Sequence, residues 1–164
     1  MQRVVIGEPG GGVSGRVTAL RDALRAGGVT ADVSDDIQRT IWEKFVFLVG
    51  LSSTTTLMGT TVGPIRDNPE SREFLRNVMR ETVAVGRAAG IGLPADYADD
   101  RLAFADGLPA DMTSSMHHDL NAGNRLELPW LAGTVVRLGR AHDIPTPVCQ
   151  TVYAALLPKA GISA

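Results

Sequence analysis

The chain has 164 residues, with 16 Lys and Arg against 18 Asp and Glu and a formal charge of −2. Apolar residues make up 44%, too many for a disordered chain, and the near-neutral balance argues against a polybasic binder of nucleic acid or of a membrane surface. The length suits one domain, or one domain with a piece of another. Lys44 and Lys159 are the two lysines; every other basic side chain is arginine. Cys149 is the single cysteine, so neither an intrachain disulfide nor a Cys-based zinc site is expected. The longest apolar run, Phe45 to Leu51, is far short of a membrane span, and Met1 to Gly7 lacks the charge and apolar pattern of a secretory signal. A soluble cytoplasmic protein is the expectation.

In chain order, Arg3-Val4-Val5-Ile6 reads as a short strand and Gly7 to Gly15 as a glycine-rich turn. Ser14 is placed to cap a helix over about 15–25, with Val17, Leu20 and Leu24 on one face. Gly27-Gly28 ends that helix, and Val29 to Val33 reads as a second strand, so residues 1–36 form a β-α-β pattern. From Asp35 the pattern becomes helical. Ile37, Ile41, Phe45 and Leu48 recur at helical spacing, with Trp42 beside them. Asn68-Pro69 opens the next helix, with Phe74 to Val85 as its apolar stripe and Gly90 after its end. Further helices are expected over about 96–106 and 111–121, with Gly123 stopping the latter, then from Pro129 and from Thr146-Pro147. The expected architecture is five or six main helices preceded by an α/β scrap.

Gly10, Gly12 and Gly15 match the G-x-G-x-x-G spacing of a dinucleotide loop, and Asp32, Asp35 and Asp36 follow about where a ribose-binding acid belongs. Glu8-Pro9 separates the strand from the first of these glycines, and Glu8 would bring negative charge toward a pyrophosphate. With only about 35 residues of α/β pattern, the match reads as an ordinary loop and the cofactor-binding residues stay unassigned. His117-His118-Asp119 offers no metal site, because neighbouring helix residues diverge by about 100° and no third ligand stands nearby. Cys149, Trp42 and Trp130 read as core residues, and His142 as a helix C-terminal cation.

Three stretches fit together: Ile41-Trp42-Glu43-Lys44-Phe45; Thr113 to Asp119 continuing through Asn124-Arg125-Leu126-Glu127-Leu128; and Gly133 with His142 to Pro147. In this order they resemble the C-terminal domain of ketopantoate reductases (2-dehydropantoate 2-reductases), whose signature Ser-Ser-Met-x-x-Asp is followed by a Glu eight residues after the Asp. Asp119 and Glu127 keep that spacing. The resemblance implies a mainly α fold, a helical bundle like the C-terminal domain of 6-phosphogluconate dehydrogenase, preceded by a β-α-β remnant of a Rossmann domain. It sets residues 1–36 as the tail of a nucleotide-binding domain and 37–164 as the helical substrate domain. It implies NADPH as cofactor, a small 2-oxo acid as substrate, pantothenate and coenzyme A synthesis as the pathway, a missing Rossmann domain as partner, and homodimer formation through helices.

By the same resemblance Lys44 is the general acid. A ketone receiving hydride develops alkoxide charge and needs a positioned, positively charged proton donor. Glu127 accepts a hydrogen bond from a substrate hydroxyl or holds Lys44. Ser115 binds the substrate carboxylate, and Ser114, Ser52 and Asp119 are further substrate-site candidates. Leu48 and Ser52 replace the asparagines found four and eight residues after the family's lysine, which leaves open a related 2-oxo acid. A non-catalytic helical dimerisation or interaction module is the other reading.

Overall fold

The computed structural model describes residues 3–161; the ends of the two expected segments, 1–2 and 162–164, lie outside them. The chain divides into two compact units, Met1–Lys44 and Phe45–Ala164.

The first unit holds β1 (Arg3–Ile6), α1 (Gly15–Ala26), β2 (Thr30–Val33) and the first turns of α2 (Ile37–Met58). β1 and β2 run parallel, with Val4 opposite Ala31 and Ile6 opposite Val33. Ser14 caps α1 as expected, accepting from the Val17 amide at 3.3 Å. Gly28, at φ +81°, turns the chain from α1 into β2. Gly7 allows the closest approach in this unit: a Cβ there would meet Ile37 Cβ at 2.7 Å and the Ser34 carbonyl at 2.8 Å. The expected apolar faces are only partly buried. Val17 is covered, whereas Leu20 is 51% exposed and Ile41 54% exposed.

The glycine loop is a self-contained clip. Gly11 and Gly12 take φ near +80°, and the Gly12 amide donates to the Asp35 carbonyl at 2.6 Å. The Glu8 carboxylate accepts from the Ser14 hydroxyl and from Arg16, whose Nε lies 2.8 Å away. The Arg16 guanidinium, then the Ser14 hydroxyl, lower the Glu8 carboxyl from the usual 4.5 to about 2. A carboxyl depressed on folding stabilises fully above its unfolded value and loses that contribution as the pH falls through its folded one. The clip is therefore expected to persist below pH 4.5 and to release near pH 2. An NMR titration of the Glu8 side chain that found an ordinary carboxylate midpoint would contradict it.

In the second unit the rest of α2 is followed by α3 (Val62–Asp67), α4 (Pro69–Ala88), α5 (Tyr97–Asp106), α6 (Ser115–Ala122), α7 (Ala132–Ala141), α8 (Pro147–Leu156) and a 3-10 turn, Leu157–Lys159. The mainly helical fold with a small β-α-β start agrees with expectation. Residues 49–56 of α2 are all buried, more than two turns, so this stretch is covered on every side. α4 starts where Asn68-Pro69 predicted, with the Asn68 side chain accepting from the Ser71 amide at 3.0 Å. It buries Leu75, Val78, Met79, Thr82 and Val83 at helical spacing. Gly50 lets α2 and α4 meet, since a Cβ there would fall 2.5 Å from Met79 Cγ.

Several boundaries differ from expectation. α3 was not anticipated; at six residues it is too short to show a periodic stripe. α6 begins at Ser115 rather than near Asp111, because Ser114 takes the cap position and accepts from the His117 amide at 3.2 Å. α7 begins at Ala132 rather than Pro129. The Glu127 carbonyl accepts from the amides of Trp130 at 3.0 Å and Leu131 at 3.1 Å, closing a turn around the proline first. Trp130 is not core: it is 55% exposed, with the Arg125 guanidinium 5.1 Å from its ring centre. Cys149 is buried, as expected of a packing residue.

Candidate functional site

Lys44 lies in α2 and in the first unit, with its side chain exposed. The other five candidates, Ser52, Ser114, Ser115, Asp119 and Glu127, belong to the second unit.

Ser114 is the best-connected of these. Its hydroxyl caps α6 and also shares a 2.9 Å hydrogen bond with the Thr55 hydroxyl, itself bonded to the Leu51 carbonyl at 2.7 Å. This bond joins the start of α6 to the hydroxyl run of α2, Ser52 to Thr56. All five of those side chains are buried, and the hydroxyls of Ser52, Ser53, Thr54 and Thr56 have no hydrogen-bond partner among the described residues. Buried hydroxyls normally find one. Ser52 stands one turn before Thr55 on the same helix, so the two share a face. Thr55, which ties Ser114 to α2, is not among the sequence candidates; the five consecutive hydroxyl residues are its signal.

Ser115 is the first residue of α6 and is exposed. The amides that open a helix lack intrahelical acceptors and lie at the positive end of its dipole, a setting that favours a carboxylate. Asp119 is half-buried and tied to the loop after α6: its Oδ1 accepts from Asn124 Nδ2 at 3.1 Å and its carbonyl accepts from the Asn124 amide at 2.8 Å. Beyond Gly123, which ends α6 at φ +70°, residues 124–127 are neither helix nor strand. Leu126 and Leu128 turn inward while Arg125 and Glu127 are exposed, the alternation of a strand-like segment. Arg125, before Glu127 in sequence, lies over the ring of Trp130, which comes after it.

His117 is buried and its Nδ1 lies 2.6 Å from the Thr113 hydroxyl, while its ring stacks against His118. Among the described residues no group of three or more His, Cys, Asp or Glu is arranged to hold a metal ion, and no helix is long and apolar enough to cross a membrane.

Replacing Ser114 by Ala removes the cap and the link to Thr55 together. The expected loss is about 1–2 kcal/mol of unfolding free energy. A urea-denaturation midpoint equal to that of the unaltered chain would show that the link carries no weight.

This arrangement of helices recurs in the C-terminal portion of a family of reductases. The family model described as ketopantoate reductase PanE/ApbA C terminal matches residues 36–160. The 2-dehydropantoate 2-reductase of Mesorhizobium japonicum is 33% identical over 153 residues, covering 93% of this chain and 46% of that protein. The enzyme of the same name from Halobacterium salinarum is 32% identical over 147 residues, covering 90% and 48%. The solved structure of a dimeric ketopantoate reductase from Staphylococcus aureus superposes with a TM-score of 0.84 at 26% identity, covering 91% of this chain and 52% of that one. The chain belongs to the ketopantoate reductase family and corresponds to its C-terminal domain. It spans about half the length of the relatives it matches.

Proposed function

We propose that the chain is the substrate-binding, proton-donating half of an NADPH-dependent 2-dehydropantoate 2-reductase, acting in cytoplasmic pantothenate and coenzyme A synthesis, and that it is inactive alone. The reading treats residues 1–36 as the tail of a nucleotide-binding domain and 37–164 as the substrate domain. The observation that carries it is the hydroxyl-rich start of α6, where exposed Ser115 follows Ser114, itself anchored to α2 through Thr55. A 2-oxo acid carboxylate is received there by the Ser115 hydroxyl and the first-turn amides. Ser114 and the buried Ser52 support the start of α6 from within the fold, and Asp119 fixes the following loop. Glu127 accepts from a substrate hydroxyl. The Lys44 ammonium gives its proton to the carbonyl oxygen as negative charge develops on it.

The glycine loop does not suit a dinucleotide's pyrophosphate. At the α1 N-terminus, where a pyrophosphate would approach Gly10, Gly12 and Gly15, stands the chain's own Glu8 carboxylate, already bonded to Ser14 and Arg16. The reading assigns the nucleotide to a companion half and supposes a homodimer formed through helices, as the dimeric Staphylococcus relative suggests. A specific residue favours a second substrate: Leu48 offers no polar contact where family members carry asparagine, which suits a related, less hydroxylated 2-oxo acid.

The test is a chimera in which this chain follows the N-terminal half of the Mesorhizobium relative. NADPH oxidation with 2-dehydropantoate is expected from the chimera and not from the chain alone. A folded chimera that binds NADPH yet reduces neither 2-dehydropantoate nor other branched 2-oxo acids would overturn the proposal.

A further inference from the structure

We propose that the cleft between α7 and α8 is a binding site for a small phosphate monoester with an apolar body. One wall is Gly133, Val136, Arg137 and Arg140 of α7; the other is Gln150, Tyr153 and Ala154 of α8, continued by Leu157. Each set follows the three- and four-residue steps of a single helix face, so the walls are continuous stripes. Gly133 makes room for the Tyr153 ring, since a Cβ there would lie 2.8 Å from ring atom Cε2. The cleft encloses about 340 Å³, at the lower end of small-ligand pockets and enough for one ring and one tetrahedral anion.

Charge selects the ligand. The nine arginines from Arg3 to Arg80 each pair with a carboxylate. The other five have no carboxylate partner among the described residues; of these, Arg87 holds a carbonyl, Arg101 and Arg125 lie over aromatic rings, and Arg137 and Arg140 stand together in this cleft. Arg137 is held in place by the Pro129 carbonyl at 2.9 Å and the Thr134 hydroxyl at 2.8 Å. Arg140 makes no hydrogen bond or ion pair among the described residues. Two like charges three residues apart on a helix repel. A group near −2, rather than a singly charged carboxylate, matches both guanidiniums, and the fork of arginine suits phosphate oxygens. Gln150 offers an amide at the rim, and Val136, Tyr153, Ala154 and Leu157 receive the apolar body.

The probe is phenyl phosphate, titrated calorimetrically into the whole chain beside inorganic phosphate and phenol. Phenyl phosphate is expected to bind saturably and at least about tenfold tighter than either fragment. Arg140→Glu and Gln150→Glu, both at exposed positions, are each expected to weaken it about tenfold or more without moving the melting temperature. Absence of saturable binding, binding indifferent to both substitutions, or equal affinity for inorganic phosphate would each overturn the proposal.

Discussion

Lys44→Ala, introduced into the chimeric reductase, is expected to lower kcat by about a hundred- to ten-thousand-fold, the usual contribution of a positioned general acid. The proton must reach an oxygen that becomes an alkoxide during reduction, and alanine neither donates it nor stabilises the charge. KM should move little, because the proposed carboxylate contacts lie on Ser115 and the start of α6. A structural role can be told apart. Lys44 is exposed, so its loss should leave the thermal midpoint within about a degree of the parent. Lys44→Arg keeps the charge but holds its proton too tightly to give it up, and should leave KM unchanged without restoring kcat. A Lys44→Ala chimera with unchanged kcat would remove the general-acid assignment while leaving the family membership intact.

Glu81→Ala is expected to be the more damaging change to stability. Glu81 projects from α4 to the N-terminus of α8, where its two carboxylate oxygens accept from the amides of Val148 and Cys149, both at 2.8 Å. Thr146 holds the cap position of α8 but makes no side-chain cap bond, so Glu81, 67 positions before Val148, does that work. The carboxylate also meets the positive end of the helix. Alanine abandons two amides and a charge-assisted pair, a loss of about 2–3 kcal/mol. For a chain of this size the melting temperature should fall by roughly 4–12 °C. Glu81→Gln, which keeps one acceptor oxygen, should fall between. Cys149 gives a second readout: burial, then the nearby Glu81 carboxylate, push its thiol well above the ordinary range, so it should resist alkylation in the native chain. Loosening α8 in Glu81→Ala should speed that reaction. Denaturation curves that superpose for Glu81→Ala and the parent would refute the cap.

These two residues mark what a linear reading could reach. Lys44 stands out as a candidate because lysine is scarce here and because it sits in Trp-Glu-Lys-Phe. Glu81 does not, because both of its partners lie on another helix. The same divide runs through the fold. Asn68-Pro69 and Gly123 were read correctly because a cap or a left-handed glycine acts on its immediate neighbours. The start of α6 was misplaced because Met112 continues an apolar spacing, while the cap at Ser114 also answers to Thr55, 59 residues earlier. Pro129 misled because a proline that opens a helix and a proline in a turn look alike in sequence. Trp130 reads as core in the sequence, yet the inward turn of Leu126 and Leu128 leaves it outside beneath Arg125. At the candidate site the residue types were readable, but the exposure of Ser115 and the burial of Ser52 depend on what packs against each helix.

The two-stranded parallel sheet bears on how the protein behaves in the test tube. Parallel strands are ordinarily found in larger sheets covered on both faces, and a strand with an open side is a template for another chain. Among the described residues β1 and β2 pair with each other alone, so each keeps one unpaired edge, and Val4 is 37% exposed. The Arg3–Asp32 ion pair at 2.6 Å puts charge across the strands, the kind of guard that discourages stacking. High salt screens such charges. Concentrated stocks in strong salt are therefore the condition in which this protein should first form aggregates, and Val4→Lys is the simplest change to keep it dispersed.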